Sequence, residues 1–221
     1  MQSDSTSGHV ASVQTQNGNF RLDAVTVDEQ VHHVLSINGC VIASSSSNLE
    51  IALADLALSG ISPGQRYADV LIGGLGLGVT LRQVLKHRAV QSVCVVEIEP
   101  QIVEWNRTFL TNADLLNDAR VELIVGDFCS YVQGSPRNYH GIAMHIDVGP
   151  DQVARAGNRQ AYSLSMLRVL QMRLRVGGAL AICGGGASYE RALQRVFDAV
   201  SVASDPADES ISRRVYQVIA Q

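Results

Sequence analysis

The chain reads as an α/β protein, a doubly wound and mostly parallel sheet with a small N-terminal β-hairpin appendage. Three observations predict this. Beyond Pro63-Gly64, apolar runs without polar alternation recur, amphipathic helical segments separate them, and the strand-like runs end in Gly, Asp or Glu. Unalternating apolar strands imply burial on both faces, and the helices between them imply crossovers joining parallel strands. Right-handed crossovers bring the carboxyl ends of the strands to one edge, where ligands bind in such folds.

The elements follow in order. Residues 1–18 are polar and are expected to form a flexible tail. Phe20–Val27 and Val31–Gly39 alternate apolar and polar positions as two short strands, with Asn38-Gly39 as a turn signal. Residues 19–48 are the hairpin and its linker. Within it Ser44–Ser47 reads as a flexible connector, and Asn48 is placed to cap a helix running to Leu58. Residues 49–221 form the main domain. Its buried strands are expected at 68–74, 92–99, 121–127, 141–148 and 179–185. Helices are expected at 80–87, 102–110 and 162–174, with Trp105 and Phe109, four apart, facing the core.

With 221 residues, 46% of them hydrophobic and 17% charged, the chain can build one globular core. A net charge of −4 and the absence of any long Lys/Arg run argue against nucleic acid or an anionic membrane as partner. No apolar run reaches the roughly 20 residues of a membrane helix, and the polar N-terminus does not read as a secretory signal. Four scattered cysteines without a CxxC pair read as small buried hydrophobes, which suits a reducing cytoplasm. His32 and His33 are adjacent on a strand and point to opposite faces, so no metal is expected.

The chemistry is expected just after each strand. The first strand runs into Gly73-Gly74-Leu75-Gly76-Leu77-Gly78, where glycines permit a sharp turn and bring backbone N–H groups close to a ligand. The spacing is not that of the dinucleotide fingerprint, which disfavours an NAD-dependent oxidoreductase. Glu97, roughly 20 residues on, is placed to bind both ribose hydroxyls. Asp127, followed by Phe128, is suited to an exocyclic amine such as that of adenine. Together they predict an adenosine-containing ligand. The fourth strand carries His145, Asp147 and Asp151; alternation places His145 and Asp147 on one face, where Asp147 would orient His145 as a general base. Asn158 and Tyr162 lie at the start of the next helix, with Tyr162 able to reach back over the sheet edge.

The stretches DVLIGGLGLGVTLRQVLKH, VVEIEPQIVEWNRTFL, VELIVGDF, IDVGPD with GNRQAY, and LRVGGALAI resemble the spermidine synthase group of aminopropyltransferases. The resemblance is closest to short spermidine-synthase-like bacterial relatives, and it implies the Rossmann-like methyltransferase fold. It places Gly74, Gly76 and Gly78 under the sulfonium end of a nucleoside, Glu97 on ribose, and Asp127 with Phe128 on adenine. It also exposes departures. Three acidic positions of the family fall here on Gly76, His145 and Val148, and a polyamine site needs carboxylates to offset buried ammonium charges. Ordinary spermidine synthesis is not expected.

Loss of the acid at Gly76 also removes repulsion against the carboxylate of intact S-adenosylmethionine. The expected cofactor is therefore S-adenosylmethionine or its decarboxylated form, and the expected activity is transfer of an aminopropyl-type or methyl group to a small-molecule acceptor. His145, Asp147 and Tyr162 are the candidate catalytic residues. The contrasting expectation is a non-catalytic nucleoside-binding homologue. A homodimer joined through the N-terminal hairpins is expected in either case.

Overall fold

The computed structural model describes residues 6–204 and 214–220. The expected tail is largely a strand. β1 (Thr6–Thr15) pairs antiparallel with β2 (Gly18–Val27), which pairs with β3 (Gln30–Ile37), which pairs with β4 (Cys40–Ser44). The hairpin is thus a four-stranded sheet. A polar strand is secured here by its ladder with β2 and by Val10 and Val13, which pack against the core. Asn38-Gly39 does turn the chain, between β3 and β4, and Asp28-Glu29 makes a second turn with both residues at positive φ.

α1 (Leu49–Leu58) follows the serine run. Asn48 occupies the cap position, yet its side chain makes no capping bond; Ser47 Oγ accepts from Leu49 N–H instead. Then come β5 (Ala68–Gly73), α2 (Val79–Leu85), β6 (Val90–Glu97), α3 (Pro100–Thr108), α4 (Ala113–Leu116), β7 (Val121–Val125), α5 (Phe128–Gly134) and β8 (Tyr139–Met144). A 3-10 turn (Ala156–Tyr162), α6 (Leu164–Arg173), β9 (Leu174–Cys183), α7 (Ala187–Leu193), β10 (Val200–Ser204) and β11 (Arg214–Ile219) complete the fold. Trp105 is buried, but Phe109 is 44% exposed, because α3 ends at Thr108 and the chain turns away.

The seven-stranded sheet has the order β10-β11-β9-β8-β5-β6-β7. Its central pairs are parallel, and β11 is antiparallel to both β9 and β10. From β5 the chain winds outward through β6 and β7, then returns to β8 and winds the other way. The reversal lies between β5 and β8, which is where a doubly wound sheet opens a crevice. One core cluster lies between this sheet, α1, α2 and the N-terminal sheet, and the other under α5, α6 and α7.

The small sheet is fastened near the crevice by polar contacts. Glu99, which caps α3, accepts from Thr15 Oγ1 (2.8 Å) and Asn17 Nδ2 (3.2 Å). Asn38 Nδ2 donates to Ala154 O (3.0 Å) in the loop after β8. Among the described residues no helix is long and apolar enough to cross a membrane. The segment around Asp205–Glu209 lies outside the described residues.

Candidate active site

A cleft of about 640 Å³, counted out to its mouth, opens at the β5/β8 reversal. It is floored by the loops after β5, β6, β7 and β8 and walled by Phe20, Ile37 and Ile42 of the N-terminal sheet. Each residue that local reading placed at a strand end can be located against it.

Gly74 and Gly76 line the cleft. Gly74 has φ +89°, and a Cβ there would meet His145 O at 2.2 Å, so the chain can pass β8 this closely only without a side chain. Gly78 does not line the cleft: it starts α2, and a Cβ would run into the Asn112 side chain at 2.6 Å. It packs beneath the loop, off the cleft wall.

Glu97 lies on the cleft wall although it is almost fully buried. Its Oε2 accepts from Leu75 N–H and its Oε1 from Glu99 N–H, both at 2.9 Å. It therefore holds the glycine loop as well as facing the cleft. Burial pushes its carboxyl above the ordinary range, partly opposed by these backbone donors. Asp127 caps α5, with Oδ1 accepting from Ser130 N–H at 2.8 Å; it too lines the cleft. The Phe128 ring packs so close to Gly73 that a Cβ there would sit 2.7 Å from Cε2. The glycine thus makes room for the ring to floor the cleft.

His145 also lines the cleft, but its expected partner is elsewhere. β8 ends at Met144, so strand alternation does not govern the residues beyond it. Asp147 turns inward, 1% exposed, and organises the following loop. Its Oδ1 accepts from Val148 N–H and Ala154 N–H, both at 2.7 Å, and its Oδ2 from Arg155 N–H (3.1 Å) and Asn158 Nδ2 (2.8 Å). Among the described residues, Asp147 makes no hydrogen bond to His145. The carboxylate facing His145 is Glu50 of α1, whose Oε1 lies 3.9 Å from Nδ1.

Tyr162 is likewise absent from the cleft wall. It is buried edge-on against Tyr189 (ring centroids 5.6 Å apart), its hydroxyl has no partner among the described residues, and burial holds its phenol well above the ordinary range. Asp151 accepts from Gly186 N–H and Ser188 Oγ and serves the loop after β9. Local reading missed Glu50, Arg155 and the wall of the N-terminal sheet. Arg155 lines the cleft and donates to Asn158 Oδ1 at 3.0 Å. Glu50 and the wall residues reach the site from elements remote in the chain, and Arg155 from an irregular loop with no periodicity to read.

No group of three or more His, Cys, Asp or Glu among the described residues is placed to hold a metal. The open side of Gly76, where a Cβ would meet only Ala43 Cβ at 3.9 Å, together with the buried Glu97 carboxylate on the same wall, fits an adenosyl donor.

Fold and cleft define an α/β protein of the Rossmann-like methyltransferase type. Residues 24–195 match the family model described as the spermine/spermidine synthase domain, and the chain belongs to that family. It is 35% identical over 122 residues to polyamine aminopropyltransferase 2 of Pseudomonas aeruginosa, an alignment covering 52% of this chain and 33% of the relative. Against polyamine aminopropyltransferase 2 of Hyperthermus butylicus it is 33% identical over 113 residues, covering 50% and 36%. The matched region thus spans about a third of these relatives. Spermidine synthase from Thermotoga maritima superposes with a TM-score of 0.74 at 18% identity, covering 96% of this chain and 72% of that one. A spermidine synthase solved with the transition state analogue AdoDATO gives the same figures. These structures establish the fold.

Proposed function

We propose that the protein is a sulfonium-dependent alkyl transferase, moving an aminopropyl-type group from decarboxylated S-adenosylmethionine, or its counterpart from S-adenosylmethionine, to a small amine. The observation that carries this reading is convergence: Gly74, Gly76, Glu97, Asp127 and Phe128 line one cleft, and that cleft reaches His145. Membership of a family whose named relatives are aminopropyltransferases supports a transferase over a non-catalytic homologue.

The donor supplies a carbon on a positively charged sulfur, whose C–S bond breaks with its electron pair going to sulfur as the acceptor nitrogen bonds to carbon. The chain's residues prepare that event. Glu97 and Asp127 hold sugar and base, and the glycine loop sets the depth of the sulfur. Phe20, Ile37 and Ile42 exclude water from the closed side. His145 takes one proton from the acceptor ammonium, freeing the nitrogen lone pair, and Glu50 offsets the imidazolium that forms at Nδ1. Residues 49–221 act in this reading as the nucleoside-binding domain, and two copies associate through their N-terminal sheets as a homodimer.

The test is calorimetric titration with both donors, followed by incubation with candidate amines and mass analysis of the nucleoside product. Methylthioadenosine from the decarboxylated donor is the expected result. S-Adenosylhomocysteine would mean methyl transfer, and no product from either donor would restore the non-catalytic reading. Sedimentation equilibrium checks the dimer.

A further inference from the structure

Glu50 stands out beyond its pairing with His145. It is 5% exposed, and its Oε2 is buried with no donor within reach among the described residues. Among the described residues its Oε1 has only His145 Nδ1 at 3.9 Å, too far for a hydrogen bond. A carboxylate withdrawn from water without donors is costly, and a cation placed against it relieves that cost.

Space for such a cation adjoins it. A second hollow of about 370 Å³ touches the nucleoside cleft at Ile42 and His145 and runs between β4, the start of α1 and Val148. A smaller one of about 230 Å³ reaches Glu50 and His145 from under the glycine loop. Among the described residues, Glu50 is the only carboxylate on the walls of either hollow. Besides Glu50, the polar side chains on the wall of the larger hollow are His145, Ser44 and Ser47; its remaining lining is aliphatic. A second ammonium group there would meet the aliphatic side chains of Leu49 and Val148 and the hydroxyls of Ser44 and Ser47, with no second carboxylate among the described lining residues to receive it.

We infer that the larger hollow is the acceptor subsite and that it takes a primary alkylamine with one positive charge, its ammonium at Glu50 and His145 and its tail uncharged. This rests on the transfer reading above. It sets the substrate class apart from polyamines, because the subsite can neutralise one charge and not two.

The test uses the full chain saturated with methylthioadenosine, titrated calorimetrically with n-butylamine and with 1,4-diaminobutane, which match in length and differ by one ammonium. The monoamine should bind at least tenfold more tightly, and Glu50→Gln should weaken it by roughly tenfold or more while methylthioadenosine affinity stays within about twofold. If Glu50→Gln does not fold, the ratio between the two amines in the unaltered protein still decides. Equal or tighter binding of the diamine overturns the inference, as does a folded Glu50→Gln that binds n-butylamine normally. If the nucleoside binds and neither amine does, the inference falls alone. If the nucleoside itself does not bind, the transfer reading falls and takes the inference with it.

Discussion

His145 Nδ1 lies 3.9 Å from the carboxylate of Glu50, a residue of the helix that links the N-terminal sheet to the main domain. Asp147, two residues from His145, is committed to four donors of its own loop. The acid that attends the proposed base therefore comes from another element, and proton acceptance and loop architecture rest on different carboxylates.

Replacing His145 by Ala should lower turnover by roughly 10²–10⁴-fold, the usual worth of a positioned base. Donor affinity should survive, because in the proposed reading sugar and base are assigned to Glu97 and Asp127. Steady-state kinetics alongside calorimetry checks both halves, and unchanged turnover would remove His145 from the mechanism.

Asp147→Ala should act on stability first. It strands the half-buried donors of Val148, Ala154 and Arg155 and the buried amide of Asn158, so a loss of about 3 kcal/mol is expected. Urea denaturation measures it. A variant of unaltered stability with depressed turnover would instead support direct orientation of His145.

The two cleft-lining glycines should respond differently to alanine. At Gly74 the new methyl would meet His145 O at 2.2 Å in a left-handed conformation, and a loss above about 3 kcal/mol is expected. Gly76 is also at positive φ (+52°), but its Cβ direction is open, so strain of about 1 kcal/mol is expected there. Gly76→Ala should instead weaken donor binding by intruding on the cleft. Thermal melts and donor titration of the two variants separate fold from site, and equal melting points would refute the distinction.

Glu97 should leave a signature in the pH dependence of stability. Burial raises its carboxyl in the folded chain above the ordinary value of 4.5, so above that value the folded state holds more of this proton than the unfolded state. Stability from this group is complete at low pH and is lost as pH rises through the folded value. The unfolding free energy of the unaltered protein, relative to Glu97→Gln, should therefore improve as pH falls from 7 toward 5. A flat difference across that window would show that the backbone donors of Leu75 and Glu99 cancel the burial penalty.

Much of this site is local in origin. The alternation of apolar strands with helices, the glycines after β5, and the carboxylates Glu97 and Asp127 at the ends of β6 and β7 are all legible, since each depends on periodicity or on position relative to a strand end. The reading of Asp147 failed where the period it used had stopped, because β8 ends at Met144. Tyr162 failed for a related reason: the turn that precedes α6 buries it against Tyr189 instead of carrying it over the sheet edge. β1 was hidden by its polar composition, which its ladder with β2 tolerates.

By itself, then, the order of residues determined the doubly wound sheet, the edge where the cleft opens, and the glycine and carboxylate positions that line it. Tertiary structure alone decided which acid faces His145, that Phe20, Ile37 and Ile42 wall the cleft, and that Glu99 ties down Thr15 from 84 residues away. The physical reason is range. Backbone periodicity and strand ends are set by neighbours within a few residues, whereas a buried carboxylate finds its partner only when packing brings distant elements together.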